Sequence, residues 1–149
     1  MSNTILMPTD GSEHAENAAA VGFNIAEKMD ATVHALAVGD TSLTHLSSVG
    51  GPPPKTADDV TEIATEWAAD LAAEARANGL EAVDVARTGT PAEEIGAYAE
   101  EIDADMIVMG TAGRSGFEKR IVGSVTDKVV RTAPVPVVTV RPDGTVDAA

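Results

Sequence analysis

DMIVMGTAGRSGFEKRIVGSVTDKVVRTAPVPVVTV, residues 105–140, carries a whole strand, turn, helix and strand in one stretch. DMIVMG (105–110) is an apolar run closed by glycine, the pattern of a strand buried on both faces. VPVVTV (135–140) is rich in β-branched residues and reads as a second strand. Ser124 to Thr132 between them reads as a helix, and a crossover of this length joins parallel strands in a right-handed sense. The middle of the unit, GTAGRSGFEKRIVGS (110–124), sets it apart. Gly110, Gly113, Gly116 and Gly123 permit positive φ and let a ligand approach the backbone closely. Ser124 then opens a helix whose free N–H groups and dipole favour phosphate. The spacing matches neither G-x-x-x-x-G-K-[ST] nor G-x-G-x-x-G, which excludes the P-loop and the dinucleotide fingerprint. From these residues alone the reading stops at an anion-binding loop.

Working outward, the same alternation fills the chain. TILMP (4–8) is a short buried strand stopped by the turn string TDGS. Ser12 is an N-cap, followed by a helical apolar face of Ala15, Ala19, Phe23 and Ala26 that ends near Met29. ATVHALAV (31–38) is a strand, and the polar stretch 39–56, with SSVGGPPPK, is a surface loop where three prolines forbid helix. Residues 57–78 form an Ala/Glu helix with Ile63, Trp67, Leu71 and Ala75 on one stripe, Trp67 anchoring it to the sheet and Gly79 beyond its end. LEAVDVAR (80–87) alternates in polarity, as a strand near an edge does. Thr90, Pro91 and Glu93 supply the cap, first-turn proline and acid of a helix running to about Glu101.

The order βαβαβαβαβ, with no repeat and no linker, predicts one domain over residues 1–149. Its economical form is an α/β fold: a five-stranded parallel sheet, doubly wound as a three-layer α/β/α sandwich, in strand order 3-2-1-4-5. Winding then reverses between the first and fourth strands. Ligands lodge outside strand C-termini at such a reversal. The turns Pro8–Ser12 and Gly110–Gly113 meet there.

Charge narrows the partners. Twenty-four acids oppose ten Lys and Arg, a formal charge of -14. That balance excludes a generic nucleic-acid binder and docking on anionic lipid. There are no cysteines, which removes disulfides and thiolate chemistry. The three histidines, His14, His34 and His45, lack metal-ligand spacing. No apolar run approaches membrane-spanning length and the N-terminus has no leader pattern, so the expected location is cytoplasmic. Residues 1–113 hold 20 acids and 4 bases, residues 114–149 hold 4 acids and 6 bases, and these nets of -16 and +2 sum to -14. Arg114, Lys119, Arg120 and Lys128 fall in or just beyond the glycine segment, where an anion is expected. Such acidity repels itself in dilute buffer and is screened at about 1 M salt, where the Debye length is roughly 3 Å. A halophilic archaeal host with a salt-rich cytoplasm is the expectation.

The spacing Gly110-x2-Gly113-x9-Gly123-Ser124, followed by VTDKVVRTAPVPVVTV, resembles the nucleotide-binding signature of the universal stress protein family. The likeness extends from ILMPTDGSEHAENA to the last strand. It implies the adenine-nucleotide α-hydrolase-like fold and, for the branch bearing the signature, ATP as ligand. Carried over by position, Pro8, Thr9 and Asp10 border the adenosine and Val38 packs on the adenine. Met109 and Gly110 lie beneath the nucleotide, while Gly113, Gly123, Ser124, Val125 and Thr126 hold phosphates through N–H and hydroxyl groups. An Mg²⁺ bridging the phosphates has Asp10 as its nearest candidate carboxylate. The resemblance also implies a homodimer through the C-terminal strand Val135–Val140.

Several residues have a plainer reading beside this one. Ser124-Val125-Thr126-Asp127 fits a capping box, and Asp10-Gly11-Ser12 fits an ordinary turn and N-cap. Val38 and Met109 fit plain core positions at strand ends. Among functions, a nucleotide-binding stress-response or signalling module with little or no hydrolysis is favoured over a slow ATPase or phosphoryl transferase, because no nucleophile-orienting group is placed. A ligand-free dimerisation scaffold is the rival. A receiver wants an aspartate where the third strand ends Ala86-Arg87-Thr88, and a flavin site wants more aromatics than two Phe, one Tyr and one Trp.

Overall fold

Strands and helices alternate along the chain as β1 (Asn3–Pro8), α1 (Glu13–Met29), β2 (Ala31–Asp40), α2 (Ala57–Ala77), β3 (Ala82–Gly89), α3 (Pro91–Glu101), β4 (Met106–Gly110), α4 (Ser124–Thr132), β5 (Val137–Val140) and β6 (Val146–Ala148). The computed structural model describes residues 3–40, 57–111, 123–141 and 146–148. Gly113, most of the 39–56 stretch and the bases Arg114, Lys119 and Arg120 lie outside the described residues.

One sheet runs in the order β3-β2-β1-β4-β5-β6. Its first five strands are parallel, in the predicted order 3-2-1-4-5. The sixth, absent from the sequence reading, pairs antiparallel with β5 from Val138↔Ala148 to Val140↔Val146. Three residues are too few to show an alternation.

Period-two alternation assigns the faces. Ile5, Met7, Val33, Ala35 and Val108 point to the layer of α1 and α2. Leu6, Leu36, Ile107, Met109 and Val137 point to the layer of α3 and α4. Ile5, Leu6, Leu36 and Ile107 are wholly buried, each worth about 1.5–3 kcal/mol of hydrophobic stabilisation. The buried stripe of α2 is Val60, Ala64, Ala68, Leu71, Ala72 and Ala75. This is turned slightly from the predicted stripe, so that Ile63 and Trp67 stand half-buried at its margin. Alanines beneath the helix let it approach the strands closely, and the large side chains flank them.

Local rules fix the ends. Ser12 caps α1, its hydroxyl accepting the Ala15 N–H. Thr90 holds the N-cap position of α3 with Pro91 after it, although its hydroxyl makes no cap bond. Gly79, at φ 81°, closes α2, and the N–H groups of Gly79 and Leu80 return to the carbonyls of Arg76 and Ala75 at 3.0 Å each. β2 continues to Asp40, two residues past the predicted end, because β3 pairs with it through Asp40↔Gly89. β5 starts at Val137 instead of Val135. Pro136 has no N–H to give, and only its carbonyl joins the ladder, accepting the Ile107 N–H at 2.9 Å.

Candidate functional site

The winding reversal opens the sheet. β1 stays paired with β2 up to Pro8↔Leu36, and β4 stays paired with β5 up to Gly110↔Val140. Between them, β1 and β4 pair only at Ile5↔Met106 and Leu6↔Ile107. The base of this seam is closed, since the Asp105 N–H reaches the Thr4 carbonyl (2.8 Å) and the Asp105 carboxylate takes the Thr4 N–H (2.7 Å). The seam therefore parts toward the strand C-termini and leaves a mouth between the ends of β1 and β4.

On the β1 side the turn is built by its own side chains. The Thr9 N–H donates to the Leu36 carbonyl at 2.8 Å, one residue beyond the strand. The Thr9 hydroxyl then accepts the Gly11 N–H (3.1 Å), and Asp10 Oδ1 accepts the Ser12 N–H (3.0 Å). The ordinary-turn reading of Asp10 thus holds, with one carboxylate oxygen engaged in the turn. Gly11 sits at φ 73°, and a Cβ there would fall 2.2 Å from Trp67 Nε1. The lone tryptophan of α2 therefore packs against the turn itself. Beside it lies a groove of about 190 Å³ lined by Thr9, Gly11, Ala15 and Trp67 among others.

On the β4 side, hydrogen bonds fasten the start of α4 to the strand end. The Gly123 N–H donates to the Thr111 carbonyl (2.6 Å), the Thr111 N–H to the Val140 carbonyl (3.0 Å), and the Thr126 hydroxyl to the Gly110 carbonyl (2.8 Å). Gly123, not Ser124, is the N-cap, and no side chain caps the helix among the described residues. The capping-box reading consequently fails. Ser124 is the first helical residue with its side chain exposed, and Asp127 pairs with Arg131 at 3.2 Å. Gly123 has φ -61°, so its conformation does not require glycine. Thr126 is buried and spends its hydroxyl proton on Gly110, so the hydroxyl is not a phosphate donor.

Val38, Met109 and Val125 share one apolar cluster with Leu6 and Leu36 beneath the mouth, on the α3/α4 face. Met109 is buried and serves as core there. Pro8, Thr9, Asp10 and Gly110 are half-buried at the strand ends. Gly113 lies outside the described residues. Two participants were missed by sequence reasoning: Thr111, buried and bridging β5 to α4, and Trp67 in its contact with Gly11. Thr111 gave no signal beyond its place inside the glycine segment. The bases are partly spoken for, since Lys128 pairs with Glu93 at 3.8 Å and Arg131 with Asp127.

A second polar cluster lies on the same face under α3, toward β3. His34 Nδ1 and Tyr98 Oη are 2.8 Å apart, and the Arg87 guanidinium lies 4.7 Å from the Tyr98 ring centroid. Arg87 also bonds Glu101 (2.6 Å) and approaches Glu94 (3.6 Å). Burial lowers the His34 pKa and raises that of Tyr98, while the hydrogen bond to Glu101 is the main cause raising that of Arg87. No group of three metal-ligating side chains occurs among the described residues. None of the described helices is long and apolar enough to cross a membrane.

Residues 1–141 match the model of the universal stress protein family. Universal stress protein MJ0531 of Methanocaldococcus jannaschii is 35% identical over 141 residues, covering 92% of this chain and 81% of the relative. The solved structure of the hypothetical protein MJ0577, from the same organism, has a TM-score of 0.78 at 28% identity, over 93% of this chain and 95% of that one. A universal stress protein from Archaeoglobus fulgidus, solved in complex with dAMP, has a TM-score of 0.68 at 22% identity, covering 93% and 97%. At that identity the likeness speaks for the fold. The chain belongs to the universal stress protein family.

Proposed function

We propose that this member of the universal stress protein family is a one-domain, cytoplasmic stress-response or signalling module that binds an adenine nucleotide, ATP in the first instance. It acts as a homodimer with little or no hydrolysis. The observation that carries the reading is the parting of β1 from β4 above Leu6–Ile107, with a helix start fastened at its rim that no side chain caps among the described residues. In this reading Pro8, Thr9 and Asp10 border the nucleoside, Val38 packs on the base, and Met109 and Gly110 form the floor. The N–H groups at Ser124, Val125 and Thr126 face phosphate, joined by Gly113 and by the exposed Ser124 hydroxyl, whereas the expected Gly123 N–H is already held by the Thr111 carbonyl. A helix start carries roughly half a positive charge, which suits an anion in a protein this acidic.

A divalent cation fits as a companion of the nucleotide. Mg²⁺ is commonly held by one or two carboxylates with substrate phosphates and water, and Asp10 is the carboxylate on the turn. When bound, the ion would neutralise phosphate charge. The protein's own part is to orient: the Thr9–Ser12 turn, locked by its own side chains, sets the nucleoside edge, and the Thr126–Gly110 bond sets the helix.

The test is a calorimetric titration of ATP, with and without Mg²⁺, in high KCl, alongside GTP, AMP and Gly123→Val. Gly123 has a backbone conformation open to valine, so loss of binding in a folded variant reports obstruction at the helix start. Micromolar binding abolished by the substitution supports the reading, and phosphate release then measures turnover. Folded protein that binds no nucleotide would sink it and leave a dimeric scaffold. Melting temperature against KCl tests the halophilic reading, which requires it to rise.

A further inference from the structure

β6 occupies the backbone edge that a second copy would need. Along β5, the Pro136 and Val140 carbonyls accept bonds from Ile107 and Thr111 on the β4 side. Alternation along the strand therefore turns the N–H and C=O of Val137 and Thr139 outward. Thr139, opposite Asp147, is the middle pair of the three-pair β5–β6 ladder. A closed two-fold dimer pairs the same strand with itself, and such pairing is antiparallel. The run of β6 on β5 is antiparallel too, so both occupants engage the outward groups of Thr139.

The cover is small. β6 has three residues, below the usual strand length of about five or six, and Val146 is 48% exposed. The β6 backbone ladder spans three residue pairs. The opposite edge of the sheet, β3, is eight residues long and carries the exposed Asp84 with its Arg76 partner. Charge guards the one edge and a strip of the chain's own backbone covers the other.

We propose that β6 and the β5 strand of a second copy compete for one edge, making β6 an intramolecular cover that is displaced on dimerisation. The inference rests on the homodimer reading above. Sedimentation velocity in high KCl compares the full chain with Asp147→Pro, which removes an N–H from the middle of the β6 ladder, with Thr139→Pro, which removes the outward N–H of β5, and with the double variant. Amide exchange at Thr139 is followed over protein concentration.

The expected result is a dimer dissociation constant at least tenfold lower for Asp147→Pro than for the unaltered chain. Association should vanish in both variants carrying Thr139→Pro. The Thr139 amide should be protected at all concentrations in the unaltered chain, and only where dimer forms in Asp147→Pro. Equal or weaker association of Asp147→Pro overturns the cover while the dimer stands. Association surviving Thr139→Pro places the interface elsewhere and also overturns it. If neither the unaltered chain nor Asp147→Pro associates, the homodimer reading itself falls and takes this inference with it.

Discussion

Two polar regions, one under α3 and one at the strand ends between β1 and β4, are built by opposite means. Under α3, side chains do the joining: Tyr98 meets His34, and Arg87 lies on the Tyr98 ring while bonding Glu101. At the mouth between β1 and β4 short side chains join to backbone groups and not to one another: Thr9, Asp10 and Ser12 hold a turn by accepting backbone N–H groups, and Thr111 and Thr126 hold the start of α4. The first arrangement consumes the polar groups of its large side chains in fixing a helix to the sheet. The second satisfies its own turn with local bonds and, among the described residues, leaves the helix start without a side-chain cap. Stability should therefore be concentrated under α3, and ligand sensitivity at the mouth.

The largest test of that division is Tyr98→Ala. The ring is buried, and removing a buried aromatic costs about 3–5 kcal/mol. Denaturant unfolding should show that loss, and ATP affinity measured well below the melting range should stay within about twofold, equivalent to roughly 0.4 kcal/mol. A large affinity loss with little unfolding would reverse the assignment of the two regions. Next comes Gly11→Ala at the mouth. Left-handed backbone costs a residue with a Cβ about 1–2 kcal/mol, and crowding Trp67 adds about 1–3 kcal/mol. Here stability and affinity should fall together, because the turn proposed to border the ligand must shift. Combining it with Trp67→Leu should restore the crowding part alone, which a double-mutant cycle reads as coupling.

How much of this was legible in the sequence follows the same division. Strand order came from alternation and from two unusual turns, which are local signals. The strand ends at the mouth were legible because short polar turn residues and glycine stand out in TDGS and at Gly110, while residues 112–122 of the glycine segment lie outside the described residues. Gly123 replaced Ser124 as the cap because the helix begins one residue earlier than the capping-box pattern suggests. The region under α3 was invisible, since His34, Arg87 and Tyr98 are 53 and 11 residues apart along the chain and only the β2–β3 register with α3 packed above brings them together. The stripe of α2 was misjudged by a small rotation because alanine carries so little periodic weight. β6 was missed for its brevity.

His34→Gln separates the regions by pH. Burial lowers the His34 pKa in the folded protein below 6.5. Above pH 6.5 both folded and unfolded chains hold it neutral, and its contribution to stability is fully present. As pH falls through 6.5 the unfolded chain takes up a proton first, so stability declines until the folded pKa is passed. Neutral His34 fits Tyr98 Oη as donor to Nδ1. At pH 7.5 the glutamine variant should lose about 1 kcal/mol, the usual net worth of one hydrogen bond. From pH 7.5 to 5 its unfolding midpoint should fall less than that of the unaltered chain. ATP affinity should follow neither change; an equal pH slope in both proteins would remove His34 from the account.

The smallest effect belongs to Lys128, which lies between the two regions on α4 and reaches back to Glu93 of α3. That ion pair spans 3.8 Å, with both side chains at least half exposed (51% and 67%). Exposed pairs contribute about 0–1 kcal/mol and less in salt, so Lys128→Ala should change the unfolding free energy by less than about 0.5 kcal/mol. The informative quantity is its ATP affinity at low and high KCl. If Lys128 is a surface partner of Glu93 and nothing more, affinity at about 1 M KCl is unchanged, and any loss at low salt stays within a few-fold as a long-range effect of charge. A tenfold loss that persists in high salt would mean that the lysine leaves Glu93 to meet phosphate. The mouth would then be completed by a side chain borrowed from the boundary with α3, and the division between a side-chain-built region and a backbone-built one would no longer hold.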